Sequence, residues 1–155
     1  FSRSLAPGIR VPYMALPEAL GRQYSRLGLR SGDAVSRFEQ RALARLVAEG
    51  HYSRHLRRAA GAYQRRSAAL SGALLDIPGI RLSGHEAGLH FLLEAQGRNE
   101  RELVDAAAQA GIPLRGLAEF CRDARLPPAL VMGFAGIADS QVLPAVRALR
   151  AAWRM

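Results

Sequence analysis

Two arginines flank a Pro-Gly pair near the start of the sequence, in the stretch FSRSLAPGIRVPY (residues 1–13). They are Arg3 and Arg10, and a guanidinium group can bind a phosphate through two parallel hydrogen bonds. A lysine in such a loop could instead form an imine with an aldehyde, but the sequence contains no lysine. Arginine does not lose its proton in a protein. Imine chemistry is therefore excluded for every side chain of this sequence. Two interpretations of Arg10 stay open: it binds a phosphate, or it is an ordinary surface arginine at a strand edge.

The histidines give little support for metal or nucleophilic chemistry. His51 and His55 stand four residues apart on a predicted helix, a spacing at which two imidazoles can bind one metal. No carboxylate lies between them in the order of a metalloprotease and no third ligand is evident, so no metal site is predicted. His90 falls in a predicted strand, where a hydrogen-bonded structural role is the commoner one. Neither a Gly-x-Ser-x-Gly motif nor a GxxxxGK[ST] phosphate loop is present.

The stretch HYSRHLRRAAGAYQRR (residues 51–66) contains five arginines and no carboxylate. Such a helix is typical of a surface that binds nucleic acid or another polyanion. The alternative is the solvated face of a packed amphipathic helix, because Tyr52, Leu56 and Tyr63 recur at helical spacing. No helix-turn-helix pattern accompanies the arginines, so we favour the solvated face.

Length and composition predict one ordinary globular unit of 155 residues, with 49% hydrophobic and 23% charged residues. The net charge of +9 is carried entirely by arginine. No apolar run approaches the roughly 18 residues of a membrane span, and residues 1–16 lack the apolar core of a signal peptide. We therefore expect no membrane association and a cytoplasmic location. The single cysteine, Cys121, excludes an intramolecular disulfide.

The hydrophobic pattern predicts helices in the first half of the chain, and strands with interspersed helices in the second. Helices are expected over residues 17–29, 34–50, 51–75 and 99–110. Strands are expected over residues 8–16, 80–82, 87–94, 112–114 and 129–135. A last helix is expected from Asp139 or Ser140, with a kink at Pro144 or a start nearer Leu143. This order predicts an α+β fold with an antiparallel sheet packed against helices.

Several stretches resemble one family of bacterial regulators. FSRSLAPGIRVPYMALP resembles the family's FSK[ST]L-x-P-x-[LI]R-[LIV]GY-x-x-x-P, and FEQRALARLVAEGHYSRHLRR resembles its xEQ-x-AL-x-x-FI-x-EGH-[FY]-x-RH-[IL]RR. AYQRR, EAGLHFLL and LVMGFAGI are similar to its Y-x-x-RR, AGLH and LGYA segments. The matches keep their order along essentially the whole chain. The family is that of the MocR/GabR-type regulators.

Regulators of this type join a GntR-type winged helix-turn-helix domain to an aminotransferase-like domain of fold type I. That second domain binds pyridoxal 5′-phosphate, senses amino-acid-like or vitamin-type effectors and is usually dimeric. The resemblance implies that this chain corresponds to its last part. Residues 1–50 would then lead from a large cofactor subdomain, and residues 51–155 would form the small C-terminal subdomain.

The resemblance also implies roles for individual residues. The family lysine that forms the imine with the cofactor falls at Arg3, and Arg10 matches the arginine that binds the cofactor phosphate. Pro12 replaces a glycine of the same motif. The arginine that binds a substrate carboxylate is not located by the motifs. Its candidates, near the predicted rim, are Arg115, Arg122 and Arg125.

We therefore expect a ligand-sensing and dimerisation segment of a MocR-like regulator, without a covalent cofactor and without catalysis. The expected partners are a second copy, a small amino-acid-like effector, and DNA only through a domain outside this chain. Two alternatives stay open: a remnant of a pyridoxal-phosphate-dependent aminotransferase, and a basic nucleic-acid-binding module that uses residues 51–66. The surfaces of residues 1–30 should be apolar and uncovered, so we expect the isolated chain to self-associate.

Overall fold

The computed structural model describes the backbone of residues 1–31, 35–84, 88–122 and 126–155, and their side chains apart from those of residues 28–31. Contacts within the chain form two compact units, Phe1–Ala59 and Ala60–Met155. The α-helices of the described part are α1 (Glu18–Ser31), α2 (Arg37–Ala48), α3 (His51–Leu75), α4 (Glu100–Gln109) and α5 (Val142–Trp153). The strands are β1 (Ile80–Ser83), β2 (His90–Ala95), β3 (Arg115–Gly116) and β4 (Leu130–Gly133). None of the helices described is long and apolar enough to cross a membrane.

The first unit begins with an irregular segment and continues into helices. The predicted strand over residues 8–16 is wrong, because these residues have no regular secondary structure. Pro12 stands in the middle of that segment, where it cannot donate a hydrogen bond to a neighbouring strand. Pro17 then precedes α1 as expected, and the Gly21 N–H donates to its carbonyl at 2.9 Å. Ser36 is the N-cap of α2, and its hydroxyl oxygen accepts a hydrogen bond from the Glu39 N–H.

The second unit contains a four-stranded antiparallel sheet with the strand order β1-β2-β4-β3. This sheet, together with the helices, confirms the predicted α+β class. The strand predicted over residues 112–114 is misplaced, since β3 covers only Arg115–Gly116 and pairs with Val131 and Leu130 of β4. Pro113 has no N–H with which the pairing could continue. Residue 87, predicted as the start of β2, lies outside the described residues.

The core of the second unit lies between one face of this sheet and three helices. Phe91 and Leu93 alternate with more exposed residues along β2, as the period of a half-buried strand requires. The helices contribute buried side chains from α3, α4 and α5, among them Leu74, Leu103, Val146 and Trp153. The Trp153 indole N–H donates to the Leu103 carbonyl at 3.0 Å, so the buried ring keeps a hydrogen-bond partner.

The last helix begins where the sequence allows a proline. Asp139–Gln141 form one 3₁₀ turn, and α5 follows at Val142. Pro144 is therefore in the first turn of α5, where a missing N–H costs no helical hydrogen bond. Of the two starts considered from the sequence, the one nearer Leu143 is confirmed.

A salt bridge joins α3 to the turn before α5. The Arg66 Nε donates to the Asp139 Oδ1 at 2.6 Å, and the Arg66 Nη1 donates to the Ala135 carbonyl at 2.8 Å. Arg65 lies 3.6 Å from the second Asp139 oxygen. The hydrogen bond from Arg66, with the charges of Arg66 and Arg65, lowers the pKa of Asp139 from its ordinary value.

Replacing Asp139 with asparagine should destabilise the protein at neutral pH, and this destabilisation should shrink at about pH 2, which lies below the ordinary aspartate pKa of about 3.9. A lowered folded-state pKa means that the stabilisation is present above the unfolded-state value and is lost as the pH falls through the folded-state pKa. Urea unfolding midpoints of the two proteins, measured at both pH values, check this. Asp105→Asn is the matched control, since Asp105 is exposed and makes no ion pair with the described residues. A difference that does not shrink in acid contradicts the assignment.

Candidate functional site

Residues 1–9 fold into two consecutive turns. The N–H groups of Ser4 and Leu5 both donate to the Phe1 carbonyl, at 3.1 and 2.9 Å. The Ile9 N–H donates to the Ala6 carbonyl at 3.0 Å, which closes the second turn around the Pro-Gly pair. Arg3 lies inside the first turn, and Arg10 follows the second directly. The loop thus presents both arginines from a backbone that is hydrogen-bonded on either side.

The first turns of α3 hold this loop through Ser4. His55 Nε2 lies 2.7 Å from the Ser4 carbonyl oxygen, and Tyr52 Oη lies 3.0 Å from Ser4 Oγ. A carbonyl oxygen can only accept, so the hydrogen of this bond is on His55 Nε2. All three residues are half-buried. We refer to Ser4, Tyr52 and His55 as the Ser4 cluster.

Aromatic contacts support the same loop. The Phe1 ring packs against Tyr52 in an edge-on arrangement, with 5.4 Å between ring centroids, and against Tyr13 at 5.6 Å. Contacts of this geometry typically contribute about 0.5–1.5 kcal/mol beyond the burial of area. Val11, which directly follows Arg10 and precedes α1 in the sequence, is buried. The loop is therefore fixed by packing as well as by hydrogen bonds.

Arg3 and Arg10 themselves are exposed, and neither makes an ion pair or a hydrogen bond with any residue that the structure describes. Their guanidinium groups remain available to an anion from solution. Some other surface arginines are paired, for example Arg22 with Glu18 and Arg45 with Glu49. The loop therefore carries two exposed positive charges, but it has no side-chain amine that could react with an aldehyde.

The structure gives the two helical histidines separate partners. His51 Nε2 lies 3.4 Å from Glu49 Oε2, whereas His55 contacts Ser4. Within the described residues no three His, Cys, Asp or Glu side chains are grouped closely enough to hold a metal ion. From the sequence, these histidines are candidates only for a metal site, and the contact of His55 with Ser4 is not predicted. The available signal was the i, i+3 spacing of Tyr52 and His55, which places them on one face of α3.

Of the three candidates for a carboxylate-binding arginine, Arg115 lines a cavity of about 560 Å³ in the second unit. Its Nε donates to Glu119 Oε2 at 2.9 Å, and its guanidinium carbon lies 4.3 Å from the centre of the Phe120 ring. The hydrogen bond from Arg115, followed by that from the Gly116 N–H, lowers the pKa of Glu119. A ligand carboxylate would therefore compete with Glu119 for Arg115. Arg122 is exposed, and Arg125 lies outside the described residues.

Comparison with known sequences points to transcriptional regulators. No family model matches the chain. The HTH-type transcriptional regulator YdeL of Bacillus subtilis is 27% identical over 158 residues, which include 100% of this chain and 34% of YdeL. The probable rhizopine catabolism regulatory protein MocR of Rhizobium meliloti is 25% identical over 158 residues, covering 99% of this chain and 32% of MocR. The chain thus spans about a third of the length of the curated relatives it matches.

Comparison with solved structures shows the fold of aminotransferases. Kynurenine aminotransferase of Pyrococcus horikoshii superposes with a TM-score of 0.77 at 20% identity, over 99% of this chain and 39% of that enzyme. The α-aminoadipate aminotransferase LysN of Thermus thermophilus also gives 0.77, at 23% identity, over 99% of this chain and 40% of LysN. The first was solved with PMP and the second with N-(5′-phosphopyridoxyl)-L-leucine. Both comparisons place essentially the whole chain within one part of the aminotransferase fold. The chain is thus similar in sequence to about a third of these transcriptional regulators, MocR among them, and similar in fold to part of the aminotransferases, which is consistent with a C-terminal, aminotransferase-like segment of a MocR-type regulator.

Proposed function

We propose that this chain is a ligand-sensing and dimer-forming segment of a MocR-like regulator, in which a phosphate-bearing ligand is held without a covalent bond. The observation that carries the proposal is the arrangement of the first loop. Arg3 and Arg10 are exposed and unpaired among the described residues, while Ser4 beside Arg3 is tied to α3. Such a loop offers positive charge and hydrogen-bond donors at an ordered position.

Pyridoxal 5′-phosphate, the cofactor that the family implies, fits these residues only in part. Its phosphate suits the guanidinium groups of Arg3 and Arg10, which carry a permanent charge. Its aldehyde finds no side-chain amine, because Arg3 falls at the position of the family lysine and no lysine exists elsewhere. We therefore assign no catalytic step to the cofactor in this chain. An aminotransferase remnant, the first alternative, would need its amine from outside these 155 residues.

The remaining parts of the proposal rest on the resemblance to MocR/GabR-type regulators. The effector is a small amino-acid-like molecule, and contact with DNA is made through a domain outside this chain. Residues 1–50 lead from a large cofactor subdomain, residues 51–155 act as the small subdomain, and the working state is a cytoplasmic homodimer. Several large apolar side chains of the first unit support association with other protein surface, because they are at least half-exposed: Tyr13, Met14, Leu20, Tyr24 and Phe38.

Titration with pyridoxamine 5′-phosphate, whose amine cannot form an imine with the protein, tests non-covalent binding through the phosphate. The unaltered chain should bind it, and Arg10→Ala should raise the Kd about tenfold, the usual effect of losing a charged hydrogen bond. Isothermal calorimetry at constant ionic strength measures both. Arg147→Ala is the control, because it removes one exposed arginine from the second unit.

Covalent trapping gives the complementary result. After incubation with pyridoxal 5′-phosphate and borohydride, peptide mapping should find a pyridoxylated residue 3 in Arg3→Lys and none in Arg3→Gln. Equal Kd values for Arg10→Ala and the unaltered chain, or no adduct on Arg3→Lys, would contradict the assignment of this loop. Turnover of an amino acid by the unaltered chain above the rate of free cofactor would instead support the aminotransferase alternative.

A second candidate function, nucleic-acid binding, is favoured by the uneven distribution of charge. The first unit has 11 arginines and 4 carboxylates, a net charge of +7, whereas the second has 11 arginines and 9 carboxylates, a net charge of +2. The exposed arginines at the start of α3 therefore belong to the more basic unit, while Arg65 and Arg66 pair with Asp139 in the other. A polyanion would accordingly bind residues 51–59 rather than the whole of 51–66.

Binding to random duplex DNA should then fall steeply with salt, and Arg57→Ala/Arg58→Ala should reduce the slope of log K against log salt by about 2, since each phosphate contact contributes about 0.9. Fluorescence anisotropy at several salt concentrations measures the slope. The control, Arg101→Ala/Arg147→Ala, removes the same charge from the second unit and should leave the slope unchanged. Equal slopes for the two double variants would exclude this surface.

A further inference from the structure

We infer that Tyr52 and His55 are positioning residues for the anion-binding loop, and that they act through Ser4 to fix the direction in which Arg3 is presented. The inference rests on the proposed function, because it assigns a role toward the ligand that Arg3 and Arg10 would bind. It concerns two residues that do not themselves need to contact this ligand. Their effect is exerted on the backbone next to Arg3.

Ser4 is fixed at both its main chain and its side chain. Its carbonyl oxygen accepts from His55 at 2.7 Å, which fixes the peptide plane that follows Ser4. Its N–H donates to the Phe1 carbonyl at 3.1 Å, which fixes the peptide plane between Arg3 and Ser4. The backbone directly after Arg3 therefore has little rotational freedom left. An exposed arginine on such a backbone loses less conformational freedom when it binds a ligand.

The Ser4 hydroxyl contacts two oxygen atoms. Ser4 Oγ lies 3.3 Å from the Phe1 carbonyl oxygen, to which it can donate. Ser4 Oγ and Tyr52 Oη lie 3.0 Å apart, and either hydroxyl can be the donor of the hydrogen bond between them. Tyr52→Phe removes one partner of this bond and leaves the Phe1–Tyr52 ring contact in place. The variant therefore tests the hydrogen bond separately from the packing.

The distance along the chain makes these contacts informative. Tyr52 and His55 lie 48 and 51 residues after Ser4, so local turn geometry does not require either contact. Both residues are on one face of α3, a helix of 25 residues. The helix thus provides a rigid support for a loop that otherwise contains no regular secondary structure.

The experiment compares variants in the titration with pyridoxamine 5′-phosphate. His55→Leu removes the donor to the Ser4 carbonyl and should weaken binding about three- to tenfold, whereas His55→Gln can supply an amide N–H and should restore binding to within about twofold. Tyr52→Phe should weaken binding about twofold to fivefold. Circular dichroism and thermal unfolding accompany each titration. Restored binding in His55→Gln would show that the hydrogen bond to the Ser4 carbonyl is what matters, and that the size of the side chain is not.

The outcomes separate this inference from the proposed function. If both Arg3→Gln and Arg10→Ala leave the Kd unchanged, the loop is not the phosphate site and both ideas fail. If Arg10→Ala weakens binding but His55→Leu and Tyr52→Phe do not, the proposed function stands and the positioning role is overturned. If His55→Leu and His55→Gln weaken binding equally, the positioning role is also overturned, because the glutamine amide would then have failed to replace the hydrogen bond of His55. Should His55→Leu not fold, Tyr52→Phe, which removes one oxygen atom, decides the question.

Discussion

The hydrogen bonds of the Ser4 cluster connect the first turn of the chain to a helix that begins about fifty residues later. The rest of the candidate site depends on this connection. Arg3 and Arg10 lie in a loop rich in serine, proline and glycine, which without long-range contacts would populate many conformations. Ordering such a loop before the ligand arrives removes part of the entropic cost of binding. The Ser4 cluster and the Phe1 contacts provide that order.

The difference between arginine and lysine determines what the ordered loop can do. Both side chains attract a phosphate, but only a lysine amine can lose a proton and react with an aldehyde. In our proposal Arg3 stands at the position of the family lysine, where it would keep the positive charge of the loop without the amine that covalent chemistry requires. This is why we propose ligand sensing rather than transamination for a chain whose fold is that of aminotransferases. The fold determines where the residues of the site lie, and the identity of those residues determines which chemistry is possible.

Much of the fold could be predicted from the sequence because its signals are local. Helical spacing located α2 and α3, and the alternation of Phe91 and Leu93 located β2, since each pattern reports which side of an element is buried. The two failures are the strand expected over residues 8–16 and the position of β3. In both, apolar residues suggested a strand while Pro12 and Pro113 removed the donors that strand pairing needs.

The site could be predicted only in outline. The motif identified Arg3 and Arg10, whose roles stay predictions, but no sequence pattern indicated that His55 would contact the Ser4 carbonyl. A hydrogen bond between residues 51 positions apart depends on how the chain folds back, which periodicity does not report. The uneven charge of the two units likewise became visible only when the structure divided the chain at Ala59.

A double-mutant cycle on Ser4→Ala and Tyr52→Phe tests the central interaction most directly. The free energy of unfolding is measured by urea titration for the unaltered chain, both single variants and the double variant. If the hydroxyls are bonded as described, the two effects should be non-additive by about 0.5–1.5 kcal/mol, the net value of a hydrogen bond. Effects that add to within about 0.3 kcal/mol would show that the two residues do not interact, and the loop would then lack its support from α3.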